Sequence, residues 1–96
     1  MPPPPPEFKE LSVGAKGVFI HGQVSIYFSR KDGEPNTINV SVFQADPPIE
    51  WTQKGIEKAK EFEFNGKTYL LHITEITPAE NGMYAEKVKV AVVEKM

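Results

Sequence analysis

The chain has 96 residues, 40% hydrophobic and 25% charged, which fits one soluble globular domain and lies away from the low-hydrophobicity, high-charge regime of disordered chains. Its 11 basic and 13 acidic residues are interspersed and sum to a net charge of -2, so the cationic excess that drives phosphate binding is missing and no nucleic-acid partner is expected. With no cysteine there is neither a disulfide framework nor thiol chemistry, and no window reaches the roughly 18 apolar residues that span a bilayer, so no membrane insertion is expected.

The chain opens on Met1-Pro2-Pro3-Pro4-Pro5-Pro6-Glu7, which lacks the basic and apolar regions of a signal peptide; with Met1 as the natural start, a cytoplasmic protein is expected. Consecutive prolines favour an extended polyproline II conformation and cannot donate backbone hydrogen bonds. Residues 1–7 are therefore read as a flexible leader, and 8–96 as the single domain.

A short strand is expected over Phe8 to Val13. Gly14-Ala15-Lys16-Gly17 superficially suggests a phosphate cradle, but it lacks the full glycine-rich loop and is read as a turn. From Val18 to Phe28 the apolar residues Val18, Ile20, Val24, Ile26 and Phe28 alternate with Phe19, His21, Gln23, Ser25 and Tyr27, the pattern of one long strand bent at Gly22. Ser29 to Asn36 supplies a turn, and Ile38, Val40 and Val42 form the inward face of the returning strand.

Asp46 to Lys60 carries no clear strand beyond a short one near Trp51. The spacing of Trp51, Ile56 and Ala59 suits a short helix near 52–60, which Gly55 would weaken by about 1 kcal/mol. Next comes the strongest local signal in the chain. In Phe62-Glu63-Phe64-Asn65-Gly66-Lys67-Thr68-Tyr69, residues of alternating polarity flank an Asn-Gly pair, which best tolerates the positive φ of a type I′ hairpin turn. Leu70, Leu71, Ile73 and Ile76 put apolar groups on both faces of the following strand and place it in the middle of a sheet. Tyr84 to Val93 is the last strand, whose lysines mark an edge or a solvated face.

The spacing of Leu71, Ile73, Ile76, Glu80, Gly82 and Tyr84 resembles the E to F strand region of immunoglobulin-like domains, with Glu80 at the usual aspartate position. The resemblance implies that Tyr84 is a corner tyrosine and Gly82 a turn glycine, both structural. The expected fold is all-β: an antiparallel β-sandwich, immunoglobulin-like, or a small β-barrel of about five to seven strands.

Chemistry-bearing residues are sparse. His21 and His72 fall on different expected strands and would form a metal or catalytic site only if those strands met in register. The serines and threonines lack a nucleophile setting, and Glu61, Glu63, Glu75, Glu80 and Glu86 read as solvated. No cofactor and no catalysis are expected. The leading expectation is a non-catalytic protein-interaction or assembly module, binding a protein partner or a second copy through a sheet edge, an exposed face or the 46–60 loop. Candidate contact residues are Trp51, Pro47, Pro48, Tyr27 and Phe19, with Phe43 beside them; for the aromatics other than Tyr27 the competing role is core. The alternative is a barrel enclosing a small apolar ligand.

Overall fold

In the computed structural model, which describes residues 6–95, the chain forms eight strands and, among those residues, no helix. They are β1 (Glu7–Ser12), β2 (Lys16–Phe19), β3 (Val24–Lys31), β4 (Glu34–Val42), β5 (Ile49–Lys54), β6 (Lys60–Phe64), β7 (Lys67–Pro78) and β8 (Ala85–Glu94). Two antiparallel sheets of four strands result, ordered β1-β8-β7-β6 and β2-β3-β4-β5, an arrangement compatible with a β-sandwich. Of the expected leader, residues 1–5 lie outside the described residues, and Glu7 already belongs to β1.

The chain runs up and down. Every paired strand neighbours its predecessor or successor in sequence, except that β1 pairs with β8 and brings the first and last strands together. The ring of strands is interrupted at two seams, between β1 and β2 and between β5 and β6, where the two sheets part.

Inward residues of both sheets share one core. Val24, Ile26 and Phe28 of β3, Ile38, Val40 and Val42 of β4, Leu71 and Ile73 of β7, and Val88, Val90 and Val92 of β8 are all buried. The period-two apolar pattern thus has its usual cause, one face of each strand turned to the core. Strand β7 is central, as its two-sided apolarity suggests, with β6 and β8 beside it. Strand β8 is also interior, so its lysines mark a solvated face. Asn65 and Gly66 sit at φ 53° and 77° between the paired residues Phe64 and Lys67, the two-residue turn the Asn-Gly signal implies.

Two expectations are corrected. The strand expected from Val18 to Phe28 is two strands joined by a reversal at Ile20 to Gln23, with Ile20, His21 and Gly22 at φ 56°, 55° and 78° and the Gln23 amide donating to the Ile20 carbonyl at 3.1 Å. Phe19 pairs with Val24, so the inward face of β2 falls on Gly17 and Phe19 and not on Val18. The 52–60 segment contains no helix: Trp51 pairs with Val40 and Gln53 with Ile38 as β5 extends to Lys54. Gly55, at φ 70°, then donates its amide to the Asn36 carbonyl.

The two ends of the layers differ. At one, the β3–β4 tip docks on the β7–β8 loop: the Gly33 amide donates to the Met83 carbonyl at 2.7 Å, Glu34 bridges Tyr84 in parallel, and the Arg30 guanidinium lies 3.8 Å over the Tyr84 ring. That end is tied shut. The other carries the β2–β3 turn, the β4–β5 loop and the β6–β7 turn, together with Glu7 and Glu94 at the limits of β1 and β8.

Candidate functional site

Alternation along β3, β4 and β5 sends Ser25, Tyr27 and Ser29, then Asn39 and Ser41, then Glu50 and Thr52 to the outer face of the second sheet. The register sets Tyr27 beside Ser41 and Ser41 beside Glu50, with Asn39 between Ser29 and Thr52. Thr52 Oγ1 donates to Asn39 Oδ1 at 2.6 Å, fixing one cross-strand pair. A shallow depression runs between β4 and β5, walled by Asn39, Ser41, Glu50 and Thr52. Beside these short side chains Tyr27 is 37% exposed, and Phe43, directly after β4, is 58% exposed.

Pro47 and Pro48 are exposed on the loop that follows. Buried Ala45 anchors that loop, as does the Asp46 amide, which donates to the Glu63 carbonyl across the β5/β6 seam at 2.8 Å. Tyr27, Phe43, Pro47 and Pro48 therefore belong to one sheet and its adjoining loop. Phe19 does not join them. It is fully buried, because the β2–β3 reversal turns it inward, and it leaves the set of contact residues as a correction.

Trp51 also faces inward. Half-buried and packed against the core, it closes the β5/β6 seam with Lys60 Nζ 5.8 Å from its ring, while Nε1 donates to Gln53 Oε1 at 3.3 Å. The buried Gln53 amide completes its bonding by donating from Nε2 to the Gly55 carbonyl at 2.9 Å.

The outer face of the first sheet has another character. Phe8, 72% exposed, sits beside Ala91 with Val93 and Leu70 further along the same face, while ion pairs lie at its ends: Lys89 with Glu75 at 2.9 Å and with Glu10 at 4.0 Å, and Lys95 with Glu61. The hydrogen bond to Glu75 and its charge hold the Lys89 pKa above the ordinary lysine value. These lysines are engaged with carboxylates of their own chain.

His72 points outward on β7 beside Ala91, whereas His21 lies on the β2–β3 turn. The register brings the two imidazoles to no common site. Among the described residues, no group of three or more His, Asp or Glu side chains is placed to hold a metal ion.

At the open end, between the sheets, a cleft of about 250 Å³ is floored by Ile20, Phe64, Tyr69 and Val92. Glu7, Glu94 and Lys67 flank it, and His21, Gln23 and Asn65 form its rim. Glu7 Oε1 accepts the Ile20 amide at 2.8 Å. Lys67 Nζ stands 3.7 Å from a Glu94 oxygen. Sequence reasoning missed this cleft, since it depends on the β1–β8 pairing and on the reversal at Ile20. One signal was legible: Glu94 extends the inward series Val88, Val90, Val92 by one more step.

Compared with known proteins, the chain matches no family model, no curated protein and no solved structure.

Proposed function

We propose that this domain is a non-catalytic protein-interaction module that binds through the outer face of the β2–β5 sheet, with Tyr27 and Phe43 as anchors and Pro47 and Pro48 at the margin. The observation that carries the reading is the composition of that face. Tyrosine and phenylalanine supply large contact area at little cost in side-chain entropy, and short hydroxyl and amide groups adapt their hydrogen bonds to a partner, the combination that antibody binding loops use. On the opposite sheet Phe8 is the one large exposed aromatic among the described residues, it stands beside Ala91, Val93 and Leu70, and Lys89 and Lys95 are taken up by carboxylates of their own chain.

The partner this face suits is a protein surface of mixed polarity, since its side chains from Ser25 to Thr52 offer both donors and acceptors and a single carboxylate, Glu50. The immunoglobulin-like resemblance contributes the idea of a sheet module that recognises proteins, although the up-and-down strand order has no Greek-key crossover of the immunoglobulin kind. That order also suits a ligand barrel. The space between the sheets is taken, however, by Phe19, Phe28, Ile26, Ile38 and Leu71, all fully buried, so an enclosed apolar ligand is the weaker reading.

The test pairs two surface variants in a pull-down from the native source. Tyr27→Ser with Phe43→Ser is expected to lose a protein that wild type and Phe8→Ser both retain, with far-UV circular dichroism unchanged in each. Removing an anchoring aromatic typically weakens binding by about 2 kcal/mol, or roughly thirtyfold. Retention by the double variant and loss by Phe8→Ser would move the interface to the other sheet. Sedimentation of the same proteins tells whether the partner is a second copy.

A further inference from the structure

We propose that the cleft at the open end is a separate binding site for a small organic cation, an ammonium group carried on an apolar body. The cleft measures about 250 Å³ and its floor combines aliphatic Ile20 and Val92 with aromatic Phe64 and Tyr69. That space lies just below the roughly 300–1,000 Å³ of pockets for drug-sized ligands and suits a smaller one.

Charge selects among ligand classes. Glu94 occupies an inward position of β8, and Glu7 lies opposite Val92, so two carboxylates flank an apolar floor. Lys67 answers Glu94 only in part: at 3.7 Å it is beyond hydrogen-bond distance, and its side chain is 58% exposed whereas that of Glu94 is 16% exposed. One oxygen of Glu7 accepts the Ile20 amide, which sets the direction of the carboxylate. An anionic ligand would meet both carboxylates. A neutral one would strip water from Glu94 and return at most one uncharged hydrogen bond. An ammonium on a hydrocarbon or aromatic body bonds the carboxylates, lies against the aromatic faces and covers Ile20 and Val92.

The walls are shaped before a ligand arrives. All three described non-glycine residues with positive φ, Ile20, His21 and Asn65, line this cleft, on the two turns that face each other across it. A β-branched residue at φ 56° is rare, and the bond from its amide to Glu7 holds it there. The site is independent of the outer-face interface, so either can fail alone.

The test is a two-dimensional amide NMR titration of the full chain with 2-phenylethylammonium, using 2-phenylethanol and phenylacetate as neutral and anionic counterparts. Saturable shifts at Ile20, His21, Asn65 and Lys67 are expected with the ammonium alone, at a Kd of about 1 mM or tighter. Glu94→Gln is expected to weaken that binding roughly tenfold, and Lys67→Gln to tighten it a few-fold by removing the internal competitor. Tyr27→Ser with Phe43→Ser should leave the titration unchanged. Equal saturation by all three probes, no saturation by any, or a Lys67→Gln protein that binds the ammonium more weakly would overturn the proposal. The opposite sign of the two cleft variants keeps the test decisive if Glu94→Gln fails to fold.

Discussion

Trp51→Ala separates a surface anchor from a seam residue, and the geometry gives the size of the effect. An aromatic side chain buries about 150–250 Å², and a half-buried tryptophan truncated to alanine gives up roughly 100 Å² of that contact. At about 25 cal/mol per Å² the loss is near 2.5 kcal/mol. The buried Gln53 carbonyl oxygen also loses the indole N–H at 3.3 Å, which adds about 1 kcal/mol. The sum, about 3.5 kcal/mol, corresponds in a domain this size to a fall in Tm of roughly 14–28 °C. Thermal and guanidinium unfolding followed by circular dichroism measure it, because the variant has no tryptophan to report by fluorescence. Trp51→Phe should recover more than half of the loss. A Trp51→Ala change below about 1 kcal/mol, with an unaltered denaturant slope, would refute the seam role and return Trp51 to the interaction surface.

Two further outcomes test the architecture. At Gly17 an added Cβ would lie 2.6 Å from Leu11 Cδ1 and 2.9 Å from Phe19 Cε2, so Gly17→Ala is expected to displace those side chains at the β1/β2 seam at a cost of about 1–3 kcal/mol; a double mutant with Leu11→Ala that loses less than the sum of the two single changes, measured by denaturant midpoint, would confirm the contact, and simple additivity would sink it. Glu34, hydrogen-bonded by the Lys31 ammonium, titrates below its ordinary value of 4.5, so its contribution to stability is present above that value and lost as pH falls through the lowered folded-state pKa. Lys31→Gln should flatten that acid-side loss in denaturation curves taken from about pH 5 down to pH 2, and parallel curves for the two proteins would refute the coupling.

Legibility of the fold tracked how local its causes are. The Asn65-Gly66 turn depends on two residues that need positive φ, and the inward faces of β4 and β8 depend on simple alternation, so both could be read directly. The Ile20 reversal could not. Its left-handed residues include an isoleucine and a histidine, types that carry little turn signal, and the bond that holds the bend comes from Glu7, thirteen residues away. The helix expected near 52–60 failed because pairing with β4 outweighed a weak 3.6-residue spacing. Of the candidate site, Tyr27 was legible as the aromatic of an outward face. Phe19 was misplaced by the same reversal, since shifting a strand by one residue exchanges its two faces.

The two ends of the sheets show why one of them is the better place to bind. Each carries a charged residue at the next inward step of a buried series, Arg30 after Ile26 and Phe28, and Glu94 after Val90 and Val92. The Arg30 side chain is 49% exposed and keeps water, whereas that of Glu94 is 16% exposed and costly to leave there without a partner. Arg30 finds partners within the chain: its guanidinium lies 3.8 Å over the Tyr84 ring and 3.4 Å from Asp32, while the Gly33 amide and the Glu34 bridge draw hairpin and loop together around it. Glu94 has Lys67 at 3.7 Å, a second carboxylate nearby in Glu7, and an apolar floor below. At one end the inward charge is used to close the layers. At the other it stands in a cleft, and a cation from outside would complete there what Tyr84 and Asp32 complete for Arg30.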